Sequence, residues 1–145
     1  MKIERLMTKT LVTVELDDSL RDVKRIFDNA SFHHLLVVEK SVLYGVLSDR
    51  DLLKTISPHI GTVSEKVQDL ATLNKKAHQI MTPKPICLTA DQDIYVAIET
   101  FNKYKLSCIP IINEHNHPVG ILSWRDILKA IEQNHNRKKL KKSKT

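Results

Sequence analysis

At 145 residues, with 41% hydrophobic and 28% charged side chains, the chain has the size and make-up of an ordinary globular protein. Its longest purely apolar stretches, such as Leu35–Val38 and Ile109–Ile112, are about fivefold too short for a bilayer span, so no membrane segment is expected. The formal charge of +6 is local: Arg137, Lys138, Lys139, Lys141, Lys142 and Lys144 crowd into the last nine residues, and setting them aside leaves 17 basic against 17 acidic side chains. Contact with nucleic acid is therefore expected only through that tail, which reads as a solvated, disordered end.

The start, "MKIERLM", places Glu4 where an export signal needs an unbroken apolar core, so a cytoplasmic location is expected. After Met7-Thr8, the run Leu11–Val14 has the aliphatic content of a strand. "DDS" at 17–19 is a helix-capping signal, and Leu20, Val23, Ile26, Phe27 and Ala30 follow at helical spacing. Two strands are predicted next, "LLVVE" and "VLYGVLS", joined by a short polar turn. Another helix is predicted beyond Ser48-Asp49-Arg50-Asp51.

Pro58 interrupts the chain, and a helix-compatible stretch starts at about Ser64. The pattern then begins again. Met81-Thr82 precedes a short apolar run, Ile86–Leu88, and "TADQD" at 89–93 caps a helix carrying Ile94, Ala97, Ile98 and Phe101. The strands "CIPII" and "VGILS" follow, and a last helix is predicted beyond Ser123-Trp124-Arg125-Asp126.

The recurrence is a duplication. "GVLSDRDLLK" (45–54) and "GILSWRDILK" (120–129) agree at seven of ten positions, and "LMTKTLVTV" (6–14) overlies "IMTPKPICL" (80–88) at an offset of 74. The offset becomes 75 at the glycines, a one-residue slip in a hairpin loop, where length changes cost little. The organisation expected is a repeat at 1–57, a connector at 58–75, a second repeat at 76–134 and a basic tail at 135–145. Each repeat runs β-α-β-β-α, an α/β unit whose strands need a partner to cover them.

The repeated junction has a chemistry of its own. A strand ends at Ser48, or Ser123, as a helix begins, so unpaired backbone N–H groups and the positive end of the helix dipole face outward. Asp51, or Asp126, in the first turn can accept hydrogen bonds from two adjacent hydroxyls such as those of a ribose. Ser-x-x-Asp is also close to a capping box. Capping alone, however, needs none of the Gly, Arg and Lys residues that recur with it.

Nothing points to catalysis: no nucleophile–base set assembles, and three glycines make no phosphate loop. His115 and His117 lack a third ligand at metal spacing, so no metal is expected and the hairpin tip reads as solvated. Cys87 and Cys108 lie in apolar runs without a CxxC and read as reduced core thiols.

Met-Thr ahead of each first strand, the apolar-Pro-apolar strand Ile109-Pro110-Ile111 and the two Gly-h-h-Ser-x-x-Asp junctions (h apolar) are together the marks of a known module. Over about residues 3–134 the chain resembles a tandem pair of cystathionine-β-synthase-type (CBS) domains, a Bateman module. The resemblance implies two repeats packed by pseudo-twofold symmetry, clefts that take adenosine nucleotides such as AMP, ADP or ATP, and a homodimer. It implies no cofactor beyond that ligand, and a regulatory role exerted on a partner protein in trans. A structural or nucleic-acid adaptor working through the tail is the competing expectation.

By the same resemblance Asp51 and Asp126 hold ribose, Ser48 and Ser123 meet phosphate or ribose, and Arg50 and Arg125 are phosphate contacts. Thr10 and Val12 would serve the Asp126 cleft, and Lys84 and Ile86 the Asp51 cleft. His33-His34 stand where the second repeat has Ser107-Cys108, and Leu36 stands where it has Pro110. The cross-repeat arrangement would set the histidines opposite Asp126, making that cleft the principal site and its binding weaker above about pH 7. Trp124, matched by Asp49, is expected at a dimer seam.

Overall fold

The computed structural model describes residues 1–143. The chain forms two compact units that do not coincide with the two sequence repeats. The repeat-one unit holds Leu11–Pro85 with His115–His117; the repeat-two unit holds Met1–Thr10, Ile86–Glu114 and the chain from Pro118 onward.

In the repeat-one unit β1 (Thr13–Glu15), α1 (Leu20–Asp28) and β2 (His34–Glu39) form a parallel crossover, and β3 (Val42–Ser48) returns antiparallel to β2. Ser19 caps α1, its Oγ accepting the Asp22 N–H at 3.3 Å, and Leu20 and Val23 are its buried positions. Lys40 and Ser41 both take positive φ, as the tight two-residue turn between β2 and β3 requires. Leu35–Val38 are buried without alternation, the pattern of a central strand whose two faces are both covered. After α2 (Asp49–Thr55), the connector forms α3 (Val67–Ala71) and a 3-10 turn at Thr72–Asn74, and the second sequence repeat opens with α4 (Ala77–Ile80). The chain then supplies β4 (Thr82–Pro83), the fourth strand of the sheet, antiparallel to β3. The core gathers Val14, Leu20, Val23, Leu35, Val37, Leu47, Leu52 and Leu73, each fully buried apolar side chain contributing about 1.5–3 kcal/mol.

The repeat-two unit repeats the plan with α5 (Ile94–Tyr104), β5 (Cys108–Ile112), β6 (Pro118–Ser123) and α6 (Trp124–Ser143). Its counterpart of β4 is the start of the chain: Thr8 and Ile121 exchange both backbone hydrogen bonds, at 2.9 and 3.0 Å. Ile3 is fully buried among Ile94, Phe101, Ile109, Ile111 and Leu122. The strand expected at Ile86–Leu88 is a single parallel bridge, Leu88 to Ile111. Pro110 stands where the first repeat has Leu36 and has no N–H to donate, which shortens that ladder.

The basic tail also departs from expectation. It is not a disordered end but the continuation of α6, helical to Ser143, with Lys144 outside the described residues. Good helix-forming Lys, Arg and Leu residues propagate a helix already nucleated on β6.

Candidate functional site: two serine–aspartate junctions

In the repeat-one unit β3 stops at Ser48 and α2 starts at Asp49, and the two side chains of the Ser-x-x-Asp motif close a reciprocal box. Ser48 N–H donates to Asp51 Oδ2 at 3.0 Å, and Asp51 N–H donates to Ser48 Oγ at 3.0 Å. The repeat-two unit builds the same object: Ser123 N–H donates to Asp126 Oδ2 at 2.9 Å and Asp126 N–H to Ser123 Oγ at 3.3 Å. The capping role is thus real in both repeats, and it fixes each carboxylate at the mouth of a helix. It uses only Oδ2, while Oδ1 and the serine O–H are not consumed by the box. All four side chains are half-buried, whereas Arg50 and Arg125 beside them are exposed. The Arg125 guanidinium lies 5.7 Å from the ring centre of Trp124, itself 48% exposed, an indole–cation pairing that the Asp49 position of the first repeat lacks.

What flanks the two junctions differs. Antiparallel pairing of β2 with β3 sets His34 opposite Ser48, and Asp49 N–H donates to the His33 carbonyl at 3.0 Å. His33 Nδ1 lies 2.7 Å from Asp49 Oδ2. The same pairing in the second repeat sets Cys108 opposite Ser123. The histidines assigned from the sequence to Asp126 therefore stand beside the Ser48–Asp51 junction of their own unit. Burial pushes the His34 imidazole below its ordinary value of 6.5, outweighing the upward pull of Asp49 and Asp51, with His33 adding to the lowering. Burial holds the Cys108 thiol neutral, pushed up to about 12, and raises Cys87 as well. Neither forms a disulfide, and Cys108 is buried whereas Cys87 is only half-buried.

The remaining sequence-selected residues divide between the units. Thr10 and Ile86 lie in the repeat-two unit with Asp126, and Val12 and Lys84 in the repeat-one unit with Asp51. Thr10, Val12, Lys84 and Ser107 are exposed, while Ile86 is half-buried. Lys84 adopts the left-handed region at φ 47° and its N–H donates to the Tyr44 carbonyl at 3.2 Å, so the motif segment is held against β3. The hairpin tip is more than a solvated loop, because Leu43 N–H donates to the Asn116 carbonyl at 3.0 Å. Among the described residues no group of three metal-ligating side chains occurs, and no helix is long and apolar enough to cross a membrane.

Asp49, which sequence reasoning passed over, orders His33. The one signal for it was an acid at the position that Trp124 fills in the second repeat.

Similar proteins agree on the type of module. The chain is 26% identical over 129 residues to an inosine-5'-monophosphate dehydrogenase of Methanocaldococcus jannaschii, matching 88% of itself but spanning only 23% of that enzyme. Among solved structures it resembles CBSX2 of Arabidopsis thaliana, a CBS-pair protein solved in complex with AMP. The TM-score is 0.76 and the identity 23%, over 92% of this chain and 98% of that one. It is equally like the CBS domain pair of protein MJ0100, solved with 5'-methylthioadenosine and S-adenosyl-L-methionine, at TM-score 0.75 and 21% identity over 92% and 98%. The family model for the CBS domain matches twice, at residues 3–58 and 77–133. With well over half of its length so matched, and with the same Ser-x-x-Asp box built in each unit, the chain belongs to the CBS domain family as a tandem pair.

Proposed function

We propose that this CBS pair is a regulatory module that binds an adenosine-containing nucleotide and transmits its occupancy to a partner protein in trans. The observation that carries the reading is the twin box. Two carboxylates, Asp51 and Asp126, are each immobilised through Oδ2 at a helix mouth, with an arginine one residue before each. A ribose presents two adjacent hydroxyls, and a fixed carboxylate accepts both; Ser48 and Ser123 keep an O–H for phosphate or ribose, and Arg50 and Arg125 add charge. CBS pairs of the same fold were solved with AMP, with 5'-methylthioadenosine and with S-adenosyl-L-methionine, which supports an adenosyl ligand here.

Thr10, Val12, Lys84 and Ile86 complete the ligand contacts in this reading, and His33, His34, Ser107 and Cys108 flank them. Because His33 and His34 neighbour the Asp51 junction within their own unit, this reading does not use them to rank Asp126 above Asp51. Both junctions are therefore assigned ligand contacts of comparable strength. A homodimer is part of the proposal, because Trp124, Leu128 and Ile131 recur along one face of α6 at 48%, 53% and 59% exposure.

Calorimetric titration of the purified chain with AMP, ADP, ATP and S-adenosylmethionine tests the reading. Saturable binding of at least one supports it, and absence of heat and of thermal stabilisation with all four overturns it.

A further inference from the structure

The far end of α6 stands apart from the nucleotide chemistry. Every residue from 134 to 143 is exposed, no acidic residue follows Glu132, and Arg137, Lys138, Lys139, Lys141 and Lys142 place five cations within six residues. At about 100° per residue they spread over an arc of about 200° around the helix. Where the helix leaves the repeat-two core, a groove of about 620 Å³ is lined by Glu4, Arg5, Lys9, Gln133, Asn134 and Arg137, which extends the basic surface toward the N-terminal segment with one carboxylate against three cations.

An arc this wide fits two facing walls of phosphate better than a plane. A helix lying on an anionic membrane needs an apolar face to insert, and Leu140 is the one apolar residue in the stretch 134–143. A helix of about 10–12 Å diameter matches the major groove of a duplex, about 12 Å wide. We infer that the C-terminal end of α6, with Arg5 and Lys9 beside it, is an arm that docks on the phosphate backbone of double-stranded nucleic acid without reading sequence. Because the rest of the chain is formally balanced, this arm is the source of the protein's net positive field.

Fluorescence anisotropy with a labelled 20-base-pair duplex of mixed sequence, measured across a salt series on the full chain, tests the inference. The expected dissociation constant near physiological salt is about 1–100 μM, and log K should fall with log salt at a slope of about −4 for some five phosphate contacts. Replacing Lys138, Lys139, Lys141 and Lys142 with Gln should weaken binding at least tenfold and flatten the slope to about −1 to −3, for the contacts that Arg137, Arg5 and Lys9 keep. The same four positions changed to Arg should retain binding, with helix content checked by circular dichroism in both variants. A wild-type chain that ignores the duplex, a Gln variant that binds like wild type, or equal binding to phosphatidylglycerol vesicles would each overturn it.

Discussion

Met81 lies across Gly45, so close that a side-chain carbon added at the glycine would meet the methionine Sδ and Cγ and come within 2.9 Å of the Thr82 carbonyl oxygen. Met7 stands in the same relation to Gly120, with its Sδ, Cγ and Cε at 2.5, 2.9 and 3.2 Å from such a carbon. The Met-Thr and Gly marks of the motif are therefore one packing contact, made twice. In each case the Met-Thr of one sequence repeat packs on the glycine of the other.

The two glycines should respond differently to the same substitution. At Gly120 the obstacles are the far end of a flexible methionine, which can swing aside. At Gly45 a backbone carbonyl is in the way as well. Gly45→Ala is expected to cost about 1–3 kcal/mol, and Gly120→Ala distinctly less, read as midpoints of urea unfolding.

The exchange of leading segments makes a second expectation. Ile3 belongs to the first repeat in sequence but is fully buried in the repeat-two core. Ile3→Ala should cost about 2–5 kcal/mol. Hydrogen exchange should place the lost protection at α5, β5 and β6 rather than at β1–β3, the location a sequence-repeat boundary would have implied.

How much of this was legible follows from what each signal is made of. The duplication, the α/β order, the capping residues Ser19 and Asp93 and both Ser-x-x-Asp junctions are local patterns, and they were readable because caps and periodicity act within a few residues. The exchange of segments was not, since nothing near Met7 specifies that its partner is Gly120. The helical tail was misread because a run of like charges resembles a solvated end, whereas here an established helix carries it onward. The neighbourhood of His33 and His34 was readable in principle. An antiparallel hairpin brings the start of β2 to the end of β3, which puts His34 across from Ser48.

Acid should weaken the fold in a window set by His34. Its pKa is depressed by burial, so the unfolded chain binds a proton more readily than the folded one as the pH drops below about 6.5. The associated stability is present above that value and is lost as the pH falls through it toward the lower folded value. Asp69 and Asp91, held down by hydrogen bonds from Ser57 and Thr89, act separately and only below the ordinary carboxylate value of 3.8. Between pH 7.5 and 5.5 the wild-type unfolding midpoint should therefore decline, and His34→Gln should decline less. Equal declines would remove His34 as the cause.

The central claim is that Asp51 and Asp126 are ligand carboxylates as well as caps, and substitution by asparagine separates the two roles. Asparagine still accepts the Ser48 or Ser123 N–H, so the box and the thermal midpoint should be nearly kept, while the charge is gone. Losing charge-assisted hydrogen bonds to ribose should cost about 1.5–3 kcal/mol at each junction, about ten- to a hundredfold in affinity. The most direct measurement is calorimetry with AMP on the wild type, Asp51→Asn, Asp126→Asn and the double variant. The account predicts that each single variant keeps one site of wild-type affinity and weakens the other, and that a folded double variant binds AMP about ten- to a hundredfold more weakly than the wild type; wild-type affinity in that double variant would contradict it.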